Sequence, residues 1–261
     1  MEKQSWYSAL ELTLDVMRSE GAIFINTFEI TSGVTSKAVT CILYGQEGIG
    51  KSTFASKWPD PLFIDTEGST TTMDVKRLPK PESLQDFIDM CQFVAAEKPC
   101  KTLVIDTADW LEKIVCEDMC RDMKINGIEQ IGYGKGYRFL SDRMDTVLQQ
   151  LDEVYNAGIN VLILAHAQIT KISEPGMDEY AHWELKLLKQ TALRFKEWPQ
   201  MLLFAKYDVI QEISENGHIK ATGGKRRTLC STHSATWDAK NRFNLPDTMD
   251  FDYKSIAHVV E

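Results

Sequence analysis

The stretch Gly45–Thr70 reads GQEGIGKSTFASKWPDPLFIDTEGST, and it carries the strongest indication of the fold. Its first eight residues fit the phosphate-binding pattern G-x-x-x-x-G-K-[ST] without exception. The apolar run AVTCILY precedes the pattern and predicts a buried strand, and a short helix is predicted to follow it. In a strand–loop–helix context of this kind, backbone N–H groups of the loop and the helix N-terminus bind phosphate.

The residues of this loop have distinct predicted roles toward a nucleoside triphosphate. Lys51 is predicted to reach the β- and γ-phosphates, and Ser52 to bind Mg²⁺. ATP and Mg²⁺ are therefore the predicted cofactors. The predicted nucleotide-binding set is Gly45, Gln46, Glu47, Gly48, Ile49, Gly50, Lys51, Ser52 and Thr53.

Two carboxylates follow predicted strands and are candidates for a metal ligand and a general base. Asp106 comes directly after the apolar run in KTLVIDT, where a second carboxylate beside a phosphate loop holds Mg²⁺. Many strands end in Asp, so the alternative is a strand-end cap, but the pairing with the phosphate loop favours the magnesium ligand. A general base for water must lie near the γ-phosphate without binding the metal. The position after Asp106 is Thr107, which cannot serve, whereas Glu67 in FIDTEG can.

Composition limits the classes of protein that the chain can belong to. Its 261 residues, 43% hydrophobic and 26% charged, suit one soluble α/β domain with decorations. The net charge of −9 argues against broad affinity for nucleic acid but leaves room for a local basic groove. No apolar run approaches the ~20 residues of a membrane span, and the N-terminus lacks a signal-peptide pattern. Six cysteines without a C-x-x-C pair predict core thiols and a cytoplasmic location.

Alternating strand and helix patterns organise the rest of the chain. Residues 1–36 are predicted to form an N-terminal extension of helix and linker, and residues 37–261 an α/β core with a mostly parallel sheet. Helices are predicted near 108–123, 137–156 and 183–197, and a buried strand at NVLILAH. The segments MLLFAKYDVIQEI and HIKATGGKRRTLCST predict antiparallel strands joined by a hairpin at Asn216-Gly217.

The order of these motifs resembles that of the RecA-like recombinases. In that family the glutamate of the FIDTEG pattern is catalytic, and a polar side chain after a later strand senses the γ-phosphate. The resemblance implies a catalytic role for Glu67 and a sensor role for Gln168 in LILAHAQ, with His166 as the alternative. The segment DAKNRFNLP is similar to the K-N-R-F stretch of RadA-type and DnaB-type relatives. It implies that Lys240 and Arg242 reach the nucleotide of a neighbouring subunit.

A narrower resemblance covers about Ala38 to Asp247. The combination of Glu67 with GYGKGY, EWPQMLLFAKYD, GGKRRTL and AKNRFNLP is similar to phage-encoded, stand-alone RecA-core proteins, some of which anneal single strands. It implies an ATPase, a homo-oligomer in the form of a ring or filament, single-stranded DNA as partner, phage or host recombination proteins as further partners, and the host cytoplasm. Residues 1–36 either dock on the next subunit, as N-terminal segments of such filaments do, or pack on their own core.

Two segments are candidate contacts for single-stranded DNA. The segment Lys124–Arg138 combines aromatic side chains for base stacking, cations for phosphates and three glycines. The alternative is an ordinary flexible loop. The basic run in GGKRRT is the second candidate, and its alternative is a solvated hairpin end. The candidate DNA contacts are Tyr133, Lys135, Tyr137, Arg138, Lys225, Arg226 and Arg227.

Other functions remain open from the sequence. The segment after Gln168 carries Lys171 but four acidic residues, so it suits DNA less well. The longer DNA-binding loops of the recombinases are not evident, which makes strand exchange on duplex DNA an unfavoured function. A small-molecule kinase would need an Arg-rich lid, and no such segment is evident. A nucleotide switch that acts on a protein partner fits the same motifs.

Overall fold

A computed structural model describes residues 30, 32, 33, 38–213 and 219–261, with side chains left out at 210–222. Within it, Ser36–Glu261 forms one compact unit. The predicted N-terminal extension at 1–36 lies almost wholly outside the described residues and stays a prediction. The predicted hairpin turn at Asn216-Gly217 lies outside them as well.

Strands and helices alternate through the first two thirds of the described chain. The strands are β1 Thr40–Gly45, β2 Pro61–Asp65, β3 Lys76–Leu78, β4 Thr102–Asp106, β5 Asn160–Ile172, β6 Tyr180–Leu185, β7 Met201–Ile213, β8 Ile219–Cys230, β9 Lys240–Asn241 and β10 Thr248–Asp250. The helices are α1 Lys51–Ala55, α2 Leu84–Glu97, α3 Ala108–Met123, α4 Lys135–Asn156, α5 Lys189–Glu197 and α6 Ala257–Val260.

The main sheet has the strand order β10-β8-β7-β1-β5-β4-β2-β3. The six strands from β7 to β3 are parallel, and β8 and β10 continue the sheet antiparallel. This confirms the predicted fold class, an α/β fold with a mostly parallel sheet and antiparallel C-terminal strands. Strand β5 lies between β1 and β4. The phosphate loop and Asp106 therefore lie at the carboxyl ends of two parallel strands that have one strand between them.

Helices cover both faces of the sheet, which explains why its central strands are apolar throughout. All residues of β1 and β4 are buried. One face packs against α2, α3, α4 and α5. The other packs against α1 and the C-terminal residues from Tyr253 to Val260. The phosphate loop is thus anchored between a buried strand and a helix that packs on that second face.

The prediction of a helix at 183–197 is wrong in its first part. Residues Tyr180–Leu185 form β6, which pairs antiparallel with β5, and the helix begins only at Lys189. Strand β5 continues to Ile172, beyond the end of the parallel sheet. Strand β6 pairs with it there, so the backbone N–H and C=O groups along that edge of β5 gain hydrogen-bond partners. The segment after Gln168 is therefore a two-stranded ribbon whose strands are joined by residues 173–179.

Candidate active site at the phosphate-binding loop

The phosphate-binding loop connects β1 to α1 in the conformation that its glycines permit. Gly48 and Gly50 have φ values of 73° and 99°, in the left-handed region that favours glycine. Gly45 is a glycine for a different reason: a Cβ there would lie 2.5 Å from the carbonyl oxygen of Ala205 on β7. The residues between Gly45 and Lys51 thus form a tight turn that ends at the N-terminus of α1.

Lys51 lies beneath this loop. Its side chain is buried, and Nζ donates to the carbonyl oxygens of Gly45 and Gln46 at 3.1 Å each. Burial lowers the pKa of Lys51, although the nearby carboxylates, Asp106 first among them, act in the opposite direction. The ammonium group is therefore held by weak neutral acceptors at the place where the sequence predicts a phosphate.

Ser52 and Asp106 meet as the sequence predicted for a magnesium site. The Ser52 hydroxyl donates to Asp106 Oδ2 at 2.6 Å. Burial raises the pKa of Asp106 to about 6, although the hydrogen bond from Ser52 favours its charged form. A hydroxyl and a carboxylate at this separation are the hard oxygen donors that Mg²⁺ prefers, so these residues fit the metal.

Glu67 is held next to Asp106 by hydrogen bonds between the ends of β2 and β4. Asp65 and Asp106 are partners in the strand register. The Thr66 hydroxyl accepts from the Thr107 N–H and donates to the Thr107 carbonyl, both at 2.8 Å. Glu67 is partly exposed and lines the cleft that the phosphate loop borders. The structure thus brings the predicted base and the predicted metal ligand to one place.

Asp65, which sequence reasoning did not single out, shapes the turn that carries Glu67. Its carboxylate accepts from the N–H groups of Gly68, Ser69 and Thr70 at 2.6, 3.2 and 2.8 Å, and from the Thr70 hydroxyl at 2.6 Å. Burial alone would raise the pKa of Asp65, but these hydrogen bonds outweigh it and lower the pKa. An Asp with Gly-Ser-Thr three to five positions later is a sequence signal that is compatible with such a turn.

Asp65→Asn is expected to destabilise the protein by ~1–3 kcal/mol at neutral pH, because the amide would place a donor against the donors of Thr70. Since the folded-state pKa of Asp65 is lowered, its stabilising effect is present above about pH 4 and is lost as the pH falls through the folded pKa. Urea unfolding of both proteins between pH 3 and pH 7 measures the difference. A gap that does not shrink toward acid pH would contradict this account.

Of the two predicted γ-phosphate sensors, one is among the described residues that line the cleft beside the phosphate loop and the other is not. The cleft has a volume of about 410 Å³, and His166 lines it whereas Gln168 is not among its described lining residues. The Gln168 amide donates to Glu184 and to the Leu185 carbonyl at 3.3 Å each. The described residues that line the cleft are Glu47, Gly48, Gly50, Lys51, Ser52, Thr53, Glu67, Ser69, Thr72, Met73, Asp106, Thr107 and His166.

His166 is fixed at the end of the parallel part of β5 by Asp109. Its Nδ1 lies 2.8 Å from Asp109 Oδ2, and its backbone N–H donates to Oδ1 at 3.1 Å. Burial alone would raise the pKa of Asp109, but the hydrogen bonds from His166 outweigh it and lower the pKa. The Asp109 carboxylate therefore accepts hydrogen bonds from the backbone N–H and from the ring Nδ1 of His166, and this sets the orientation of the ring.

Lys240 and Arg242 lie far from their own phosphate loop. Strand β9 pairs with β7 at Met201 and Leu202, near the start of β1, whereas the loop follows the end of β1 about 13 Å away along the strand. Lys240 Nζ donates to the Glu197 carbonyl at 2.6 Å. Arg242 is exposed and makes no hydrogen bond or ion pair with the part of the chain that the structure describes.

The first candidate DNA segment is more regular than predicted. Two 3₁₀ turns at Ile128–Gln130 and Gly132–Gly134 lead directly into α4 at Lys135. Tyr133 is completely exposed and has a positive φ of 58°. Lys135, Tyr137 and Arg138 follow in the first turn of α4, where Arg138 lies 3.9 Å from Asp142.

The three basic residues of the second candidate DNA segment make different contacts. Lys225 is exposed, and Arg226 lies 3.6 Å from Asp208 and 3.4 Å from Asp250. Arg227 instead donates to the carbonyl of Ile49, at 2.8 Å, in the phosphate loop. Arg226 and Arg227 therefore have different partners, although all three basic residues are exposed.

The fold and this site define a P-loop NTPase fold in which one strand, β5, lies between the phosphate-loop strand and the Asp106 strand. The chain belongs to the AAA domain family, whose model matches residues 37–243. No curated protein matches the chain. Among solved structures, a KaiC-like protein from the hyperthermophilic archaeon Pyrococcus horikoshii is similar at 13% identity and a TM-score of 0.39, over 74% of this chain and 77% of that one. Among the described helices, none has the length and apolar character to cross a membrane.

Proposed function

We propose that this protein hydrolyses ATP with Glu67 as the general base, and that a homo-oligomer of it couples hydrolysis to the binding and annealing of single-stranded DNA. The cytoplasm, with phage or host recombination proteins as further partners, is the proposed setting. The observation that carries the proposal is the position of Glu67, held beside the Ser52–Asp106 pair at the phosphate loop. A carboxylate there is near a bound γ-phosphate and does not take part in the Ser52–Asp106 hydrogen bond.

The residues of the cleft divide the chemistry among them. Backbone N–H groups of the loop and the Lys51 ammonium bind the phosphates, and Glu67 takes the proton of the attacking water. Ser52 and Asp106 would hold Mg²⁺, which would supply positive charge to the phosphate oxygens. Because Nδ1 of His166 faces the Asp109 carboxylate, that nitrogen carries a proton.

The position of Arg242 supports assembly. It lies near the amino ends of the parallel strands, whereas its own phosphate loop lies at their carboxyl ends. Any nucleotide that it contacts therefore belongs to a neighbouring copy. One surface of each copy would then meet a different surface of the next. Such a heterologous interface produces a ring if its rotation closes and a filament if it does not.

The exposed Tyr133 supports a role in binding single strands. Its ring has no cover from the described residues, and the cations of Lys135 and Arg138 follow within five positions. Stacking of a base on an exposed aromatic ring, with cations for the backbone, binds single strands without sequence preference. The net charge of −9 restricts such binding to a local surface.

Measuring ATP turnover with and without a single-stranded oligonucleotide tests the proposal. We expect the oligonucleotide to stimulate turnover, and Tyr133→Ala to raise the oligonucleotide Kd about tenfold, since base stacking contributes ~1–3 kcal/mol. Phe93→Ala, which removes another exposed aromatic ring on α2, is the matched control.

Three outcomes would count against parts of the proposal. Turnover no higher than that of Lys51→Ala would exclude an ATPase at this loop. A protein that does not bind single-stranded DNA, and whose ATP turnover the oligonucleotide does not change, would favour the nucleotide switch that acts on a protein partner. Equal binding of a duplex of the same length would contradict a preference for single strands.

A further inference from the structure

Two side chains from the C-terminal strands bind the phosphate loop from outside. Tyr207 on β7 and Arg227 on β8 are directly opposite each other in the antiparallel register. The Tyr207 hydroxyl donates to the carbonyl of Gly48 at 3.1 Å, and Arg227 Nη1 donates to the carbonyl of Ile49 at 2.8 Å. Consecutive carbonyls of the loop are thus bound by a cross-strand pair that lies about 160 and 180 positions further along the chain.

The Arg227 side chain is itself fixed by aromatic packing. Its guanidinium lies 5.3 Å from the centre of the Phe251 ring, a separation at which cation and ring attract each other. The Phe251 ring stacks at 5.0 Å on Phe54 of α1, and the Phe251 N–H donates to the Arg227 carbonyl at 3.2 Å. Arg227 therefore connects β8, the helix after the loop and the loop itself.

The local backbone aims this pair at the loop. The register of β7 against β8 shifts between Tyr207 and Val209. An irregularity of this kind bends a strand and redirects its side chains, and it is frequent next to active sites. Gly50 also allows the contact, because a Cβ there would lie 2.8 Å from Arg227 Nη1.

Binding the outer carbonyls determines where the inner N–H groups point. A trans peptide unit is planar, with its C=O and N–H groups on opposite sides. The bond from Arg227 to the Ile49 carbonyl therefore helps to set the direction of the Gly50 N–H. The bond from Tyr207 to the Gly48 carbonyl acts in the same way on the Ile49 N–H, which also donates to the Gln46 carbonyl at 3.4 Å. The positive φ values of Gly48 and Gly50 give these peptide units a conformation that glycine adopts without strain, and the contacts from Tyr207 and Arg227 add to the bond within the loop in holding it.

We propose that Tyr207 and Arg227 are positioning residues for nucleotide binding: they hold the phosphate loop open for phosphate by fixing its outward carbonyls. The inference rests on the proposed binding of ATP at this loop. It gives Arg227 a role that differs from the DNA contact predicted from GGKRRT, and it couples the β7–β8 ribbon to the nucleotide.

Affinity for a fluorescent ATP analogue in the absence of DNA tests this role. We expect the Kd to rise about threefold in Tyr207→Phe and about tenfold in Arg227→Met, because the second change removes a charged donor. Arg227→Lys, which keeps the charge and one donor, should recover part of the affinity. The KM for ATP should rise in parallel while kcat at saturating ATP stays within about twofold, because Glu67 and Asp106 are untouched. A merely structural defect would lower kcat and the thermal midpoint instead.

Two matched variants serve as controls. Tyr253→Phe removes a hydroxyl that bonds to Glu261, and Arg194→Met removes an arginine that pairs with Asp145. Unchanged Kd and KM in a folded Tyr207→Phe/Arg227→Met double variant would overturn this inference alone. A wild-type protein that binds no ATP would overturn the proposed function and the inference together. Should Arg227→Met fail to fold, Tyr207→Phe, which loses a single oxygen atom, decides the question by itself.

Discussion

Glu67→Gln is expected to bind ATP with Mg²⁺ as the wild type does and to hydrolyse it ~10²–10⁴-fold more slowly. The amide keeps the shape of the side chain and loses the base, and proton transfer by a positioned base contributes a factor of this size. The turn fixed by Asp65 should keep its conformation, because its hydrogen bonds come from Gly68, Ser69 and Thr70 and not from the Glu67 side chain. Phosphate release under saturating ATP gives kcat, and a fluorescent ATP analogue gives the affinity.

Glu117→Gln is the matched control, since Glu117 is an exposed carboxylate on α3 that pairs only loosely with Lys113. A Glu67→Gln variant with wild-type turnover would show that the base lies elsewhere. Loss of ATP binding in the same variant would also contradict the assignment, because a base acts in the chemical step and not in ground-state binding.

Arg242→Ala is expected to bind ATP normally and to hydrolyse it about 10³-fold more slowly if Arg242 acts on the nucleotide of a neighbouring subunit. An arginine supplied in trans stabilises charge that develops during transfer of the γ-phosphoryl group. Arg242 is exposed and makes no hydrogen bond or ion pair with the described residues, so its removal should leave the thermal midpoint unchanged. Wild-type turnover should also rise faster than linearly with protein concentration, because only assembled subunits have complete sites.

Mixing two inactive variants distinguishes action in trans from every other role of Arg242. In co-assembled Arg242→Ala and Glu67→Gln subunits, some interfaces pair an intact base with an intact arginine, and part of the activity should return. Mixtures shown to co-assemble without recovery would contradict the trans role and leave Arg242 a DNA contact or a structural residue. Arg194→Ala, which removes an arginine that pairs with Asp145 on the same subunit, should behave as the wild type.

Features that depend on contiguous residues could be predicted from the sequence. The phosphate loop could be predicted because its glycines, Lys51 and Ser52 act through local backbone geometry between a buried strand and a helix. The central strands were evident because both faces of a parallel sheet are covered, which makes its strands apolar throughout. Glu67 and Asp106 could be placed together because the carboxyl ends of parallel strands meet at one edge of the sheet.

Features that depend on strand register, and on which distant strand pairs with a given strand, could not be predicted from the sequence and became evident in the folded structure. It placed His166 in the cleft and Gln168 outside it, although the two are only two positions apart, because β5 leaves the parallel sheet between them to pair with β6. It also showed that Arg227 reaches the phosphate loop. The basic run GGKRRT alone could not reveal this contact, because the direction of a side chain on β8 follows from its pairing with β7, and alternate residues of a strand point to opposite faces.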